Sequence, residues 1–177
     1  DAVPDKRLAA GQHINALVVD DHSISRRIMG MLLESIGVQA ITAADGAEGI
    51  ELAGRHRPDV ILMDLRMKGM DGIEATRRLQ EDAATASIPV LAVTASPFEN
   101  ARDAAFAAGC REFLSKPGRA ADLMEVLERP LGARFEAVMA PSSEVEDEVD
   151  DPQTSAMLPA VAERLREAAA IGSISDL

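Results

Sequence analysis

The sequence predicts a doubly wound α/β domain with a five-stranded parallel sheet and five helices, on three observations. Apolar runs recur that are continuous rather than alternating: INALVV (14–19), DVILM (59–63), IPVLAV (88–93) and EFLS (112–115). Such runs suit strands of a parallel sheet covered on both faces. Segments with helical periodicity lie between them, so strand and helix alternate five times, the pattern of right-handed crossovers. Each run also stops on a polar residue: Asp20-Asp21, Asp64, Thr94 and Lys116.

Taken in order, residues 1–12 are small and polar and read as a linker remnant. The chain begins with Asp1 rather than Met and is expected to be a piece of something longer. The α/β domain is expected over 13–135. Its first strand, 14–19, leads into a helix over 23–36, with Ile28, Leu32 and Ile36 on one face and Gly37 as the C-terminal cap. VQAITA (38–43) is a weaker strand, expected near an edge of the sheet. The second helix spans Asp45 to His56, and Asp45 with Glu48 forms a capping pair. The third strand ends at Asp64, and the third helix opens near Asp71, where Asp71 and Glu74 repeat that pair. The fourth helix opens on Ser96-Pro97, with Glu99 three residues after Ser96, and ends near Gly109. The fifth covers 120–128. PSSEVEDEVDDPQTS (141–155) then reads as a solvated acidic linker, placed at 136–155. Leu158, Val161, Leu165 and Ala168 recur at helical spacing, so a helical tail is expected over 156–177, and it is expected to be truncated. Its apolar stripe suits packing on the domain or contact with a twin in a homodimer better than docking of a different partner.

Composition bounds the function. The 177 residues hold 47% apolar residues but only four Phe and no Trp or Tyr, so aliphatic side chains must fill the core. A formal net charge of −12 argues against nucleic-acid binding and against anionic lipid. The single cysteine, Cys110, rules out an internal disulfide and fits the reducing cytoplasm, whether or not a longer parent chain is membrane-anchored. No apolar run approaches membrane-spanning length.

In a parallel sheet the carboxyl ends of the strands share one edge, where ligands bind. Asp20, Asp21, Asp64, Thr94 and Lys116 would therefore converge. Three adjacent carboxylates repel one another, and a divalent cation relieves them. Hard oxygen ligands suit Mg²⁺ or Mn²⁺, which keep several waters and bind one or two carboxylates plus a phosphate. Lys116 adds a positive charge opposite. Such a nest is built for phosphoryl transfer, which needs positioning and charge neutralisation. Asp64 is the carboxylate to accept the group, as an aspartyl phosphate.

Together LVVDDHSISRRIM (17–29), VILMDLRMKGMDGIEATRRL (60–79), IPVLAVTAS (88–96) and CREFLSKP (110–117) resemble a response-regulator receiver domain of two-component and phosphorelay signalling. The resemblance covers about residues 14–130. It implies a flavodoxin-like sheet of order 2-1-3-4-5, counting the five strands along the chain. It implies Asp64 as phosphoacceptor, with Asp20 and Asp21 as the metal-binding acidic pair, Asp21 the more direct ligand. The backbone carbonyl of Arg66 would be a further ligand. Thr94 and the backbone N–H of Ala95 would hold phosphoryl oxygens, and Lys116 would pair with their charge. Phe113 stands at the family's aromatic switch position, where its lack of a hydroxyl restricts any switch to packing, and the Lys116–Pro117 bond would be cis. The phosphodonor would be a histidine kinase or a histidine-containing phosphotransfer domain. TASPFENARDAAFAAGCREFLSKP and LERPLGARFEAV further resemble the C-terminal receivers of hybrid sensor histidine kinases. One departure stands out: Gly118 follows Lys-Pro where these receivers carry a large apolar residue, which puts the packing of that corner in question.

Blander readings suit other residues. Asp71 caps a helix, His22 is a half-exposed loop residue, His13 and His56 are solvated, and Cys110 is a small buried side chain. Rival functions are a stand-alone response regulator, a binding-only pseudo-receiver and a phosphohydrolase of the haloacid-dehalogenase type. The last needs a second carboxylate two residues after the nucleophile, and this chain has Arg66 there.

Overall fold

The computed structural model describes residues 5–95, 99–116 and 118–138. Along the chain the elements are β1 (Lys6–Leu8), β2 (Asn15–Val19), α1 (Ser23–Ser35), β3 (Gln39–Ala43), α2 (Gly46–His56), β4 (Val60–Asp64), α3 (Gly72–Glu81), β5 (Val90–Thr94), α4 (Glu99–Ala108), β6 (Glu112–Ser115), α5 (Ala120–Leu131) and β7 (Phe135–Ala137). β2 to β6 form one parallel sheet in the order β3-β2-β4-β5-β6. This is the expected 2-1-3-4-5 arrangement of its five strands.

The continuous apolar runs have the expected cause. In β2, Ala16 and Val18 point to one face and Leu17 and Val19 to the other. Ala16, Val18, Val60, Leu62, Leu91 and Val93 join Met29 and Leu33 of α1 and Leu123 and Leu127 of α5 in one core layer. Leu17, Val19, Ile61, Met63, Val90 and Ala92 join Ala53 of α2, Ala75 and Leu79 of α3 and Ala105 of α4 in the other. β3 is an edge strand and only partly buried, as its weaker pattern suggested. Asp45 and Asp71 both cap their helices, each carboxylate accepting the N–H of the Glu three residues on, at 2.9 and 2.8 Å.

Three expectations need correction. The buried stripe of α1 runs through Met29 and Leu33 towards Ile36, whereas Ile28 is 59% exposed. The periodic residues of α1 make two stripes about 100° apart, and only the packing against β2, β3 and α5 selects between them. Next, within the segment expected as a linker remnant at 1–12, Lys6–Leu8 forms a strand. β1 pairs antiparallel with β7, Lys6 opposite Ala137 and Leu8 opposite Phe135, which also claims the first residues of the expected acidic linker at 136–155. The Leu8 N–H donates to the Ile36 carbonyl at 2.7 Å and that of Ala9 to the Arg134 carbonyl at 2.8 Å, while Leu8 and Phe135 rest on the core. Gly37, with φ of +88°, lets the chain turn beneath Leu8. Finally, α5 runs to Leu131, past the expected stop at 128, and closes when the Gly132 N–H reaches the Glu128 carbonyl at 2.9 Å. At the corner after β6, a Cβ on Gly118 would sit 3.3 Å from Leu114 Cδ2, so Leu114 fills the space near Gly118. The Ser96-Pro97 cap, the Lys116–Pro117 bond, the rest of the acidic linker and the helical tail lie outside the described residues.

Candidate functional site

Strand register builds the site. Val19 stands opposite Met63, so the residues that follow, Asp20 and Asp64, are neighbours at the same sheet edge. Thr94 pairs with Ser115, which sets Lys116 one step beyond. The Lys116 N–H also donates to the Thr94 carbonyl at 2.7 Å. From this position the Lys116 ammonium donates to Asp20 Oδ2 at 2.5 Å and to Asp64 Oδ2 at 3.0 Å. Oxygens of Asp20, Asp21 and Asp64 all lie within 4.8 Å of one another, the one group of three or more metal-ligating side chains this close among the described residues.

Main-chain donors hold the carboxylates in place. Asp20 Oδ1 accepts the His22 N–H at 2.8 Å, and Asp64 Oδ1 accepts the Arg66 N–H at 3.1 Å. Asp21 Oδ2 accepts the Lys68 N–H at 3.0 Å, tying the loop after β4 to the loop after β2. Gly72 lets α3 start against the strand end: a Cβ there would come within 2.1 Å of the Asp64 carbonyl oxygen. Its N–H bonds the Leu65 carbonyl at 3.2 Å, closing the turn that leaves Asp64.

Burial sets the electrostatics. Asp64 is 7% exposed, and desolvation pushes its carboxyl above the usual range. The Arg66 N–H and the Lys116 ammonium pull the other way without cancelling that push. Burial draws Lys116 down, but its hydrogen bonds to Asp20 and Asp64 outweigh this and leave it above the ordinary lysine value. Three carboxylates with one ammonium leave net negative charge in a sheltered place, and every donor atom is a hard oxygen. The residues therefore fit a small divalent cation, which would offset the desolvation of Asp64.

Asp20, Asp21, Asp64 and Lys116 are thus brought into mutual reach. Thr94 is buried at the end of β5, and Ala95 follows it on the surface. Arg66 meets Asp64 through its N–H. Phe113 is half-buried on β6, packed on the second core layer, and carries the Arg102 guanidinium 5.9 Å from its ring centre. His22 contributes its main chain only, and His13 and His56 stand on the surface apart from the acidic cluster. Cys110 is buried beside the Thr76 hydroxyl at 3.8 Å, and burial pushes its thiol up. Sequence reasoning passed over Arg26, whose Nη1 donates to the Asp20 carbonyl at 2.7 Å, and the constraint on Gly72. The pairing of Asp71 with Glu74 signalled a cap at Asp71 but not the close approach of Gly72 to the strand end.

Comparisons with known proteins agree with this geometry. The family model described as response regulator receiver domain matches residues 16–128. The polar-differentiation response regulator DivK of Brucella anthropi is 32% identical over 118 residues, 67% of this chain and 96% of that one. Protein PilH of Pseudomonas aeruginosa is 40% identical over 101 residues, 57% of this chain and 84% of that one. Hybrid signal transduction histidine kinase G of Dictyostelium discoideum is 34% identical over 128 residues, which cover 71% of this chain but 4% of that kinase. Among solved structures, the Vibrio cholerae chemotaxis protein CheY4 superposes with a TM-score of 0.64 at 29% identity, covering 68% of this chain and all of that one. The receiver domain of sensor histidine kinase PA1611 from Pseudomonas aeruginosa, solved with a magnesium ion coordinated in its active-site cleft, gives 0.64 at 31%, covering 68% of this chain and 99% of that one. By sheet order, acidic strand ends and family match alike, the chain belongs to the response regulator receiver domains of two-component signalling.

Proposed function

We propose that this domain accepts a phosphoryl group from a phosphohistidine onto Asp64, in a reaction that requires Mg²⁺ or Mn²⁺. The observation that carries the reading is the meeting of Asp20, Asp21 and Asp64 within 4.8 Å, with Lys116 bonded to two of them. A carboxylate oxygen of Asp64 attacks phosphorus, an O–P bond forms, the P–N bond to the donor imidazole breaks, and the imidazole leaves to take up a proton. Lys116 keeps Asp64 ionised against its burial and then pairs with the transferred group. The Thr94 hydroxyl and the Ala95 N–H hold phosphoryl oxygens. Asp20 and Asp21, with Asp64 and the Arg66 carbonyl, hold the cation, which neutralises charge on the carboxylates and on the phosphoryl group. Phe113 responds to the new charge by packing alone.

The donor is a histidine kinase or a histidine-containing phosphotransfer domain, and the parent chain is a hybrid sensor histidine kinase. Likeness to hybrid kinase G and to the PA1611 receiver supports that parentage. The near full-length matches to DivK and PilH favour a stand-alone regulator as the second reading. An in-frame kinase core in the coding sequence upstream of Asp1 decides for the first, and a start codon there for the second.

Intact-mass spectrometry after incubation with Mg²⁺ and a small acyl phosphate tests the chemistry. The unsubstituted 177-residue chain is expected to gain one phosphoryl group, to gain none when the cation is chelated, and to gain none as Asp64→Asn. Absence of modification on that unsubstituted chain, whatever the donor, overturns the proposal in favour of a binding-only domain.

A further inference from the structure

Asp20 is held at every polar group. Its N–H bonds the Ala43 carbonyl at 3.2 Å, its Oδ1 takes the His22 N–H at 2.8 Å, its Oδ2 takes Lys116 at 2.5 Å, and its carbonyl takes Arg26 Nη1 at 2.7 Å. Only the last tie comes from a side chain outside the acidic site and its lysine. Arg26 lies in the first turns of α1, a helix whose first turn has no acidic residue. A cation there opposes the helix dipole, which favours negative charge at that end. The half-buried guanidinium is compensated by the Asp20 carbonyl and the negative site beyond it. The turn it grips, Asp20-Asp21-His22, carries two of the three clustered carboxylates.

We propose that Arg26 is a positioning residue: by gripping the Asp20 carbonyl it fixes the turn that aims Asp20 and Asp21, and so strengthens divalent-cation binding. The inference rests on the reading of Asp20, Asp21 and Asp64 as the cation site. Its sign separates it from plain electrostatics. Removing a positive charge beside three carboxylates should tighten cation binding by Coulomb attraction alone. Loosening the turn should weaken it, by about tenfold if Arg26 behaves as outer-sphere partners of metal ligands do.

The experiment is a Mn²⁺ titration of the unphosphorylated chain, followed by the electron paramagnetic resonance of the free ion. It uses the parent, Arg26→Gln, Arg26→Lys and Arg27→Gln, with a urea midpoint for each in the absence of cations. Arg26→Gln is expected to bind about tenfold more weakly. Arg26→Lys, which keeps a donor and the charge, recovers most of the loss. Arg27→Gln, the same charge change on the exposed neighbouring residue, binds as tightly as the parent or tighter. Arg26→Gln binding as tightly as the parent, or Arg26→Lys binding no better than Arg26→Gln, overturns the proposal while leaving the site reading intact. Where Arg26→Gln does not fold, Arg26→Met, which keeps the aliphatic stem and removes both the donor and the charge, takes its place: binding about tenfold weaker than the parent supports the grip, and binding as tight as the parent overturns it. A parent that binds no Mn²⁺ overturns both.

Discussion

Asp64 is caught between burial and charge. Desolvation raises its folded-state pKa, so the fold holds the proton better than the unfolded chain does. Ionisation then costs stability as pH rises from the ordinary carboxylate value, about 4, through the raised folded value. Without divalent cations, Asp64→Asn is therefore expected to have a higher urea midpoint than the parent at neutral pH, and the gap should close below pH about 4. A parent that is the more stable of the two at neutral pH would show that the Lys116 ion pair outweighs burial. Lys116, raised by its two partners, contributes stability that is complete below the ordinary lysine value and lost as pH climbs through the folded one. Asp20, Asp64 and Lys116 were legible in the sequence because each interrupts an apolar run at a strand end. Arg26 was not, since its one revealing contact is to a main-chain carbonyl, and Gly72 was not, since its neighbour Asp64 comes near only when the turn closes.

At the scale of elements, strands read more truly than helix faces. A strand buried on both sides shows as an unbroken apolar run whatever its orientation. A helix with two candidate stripes shows only that one of them is buried. In α1 the buried one contains Leu33, fully covered, while Ile24, Ile28 and Met31 face outward. Leu33→Ala should lose about 2–5 kcal/mol through lost burial and the cavity left behind. Ile28→Ser should stay within about 0.5 kcal/mol of the parent, as surface changes do. Urea midpoints of the two variants check this. Equal losses would mean that α1 is turned the other way.

The whole molecule adds one device that no local pattern announced. β1 and β7 come from either side of the receiver, over a hundred residues apart, and pair outside the main sheet. Leu8 and Ala9 anchor this ribbon on the core and on the turn after α5. Deleting residues 1–10 should lower stability by about 1–3 kcal/mol, the scale of one apolar side chain returned to water. Phosphoryl acceptance from an acyl phosphate should survive, because no member of the acidic site lies in the ribbon. An unchanged urea midpoint would show that the ribbon adds nothing to the fold.

The order of the five parallel strands and five helices, the parallel sheet and the chemical character of its carboxyl edge were all determined by the sequence, because continuous apolar runs and the residues that stop them are local facts. Capping by Asp45 and Asp71 is local too, each carboxylate reaching only three residues ahead. What the tertiary structure alone decided depends on distance in space. Register between β2 and β4 sets Asp20 beside Asp64, and packing chooses the buried face of α1. A tripeptide too short and polar to read as a strand becomes one only because Phe135–Ala137 lies alongside it. The grip of Arg26 on Asp20 likewise exists only once α1 has docked on the sheet, since a main-chain acceptor leaves no mark in the sequence.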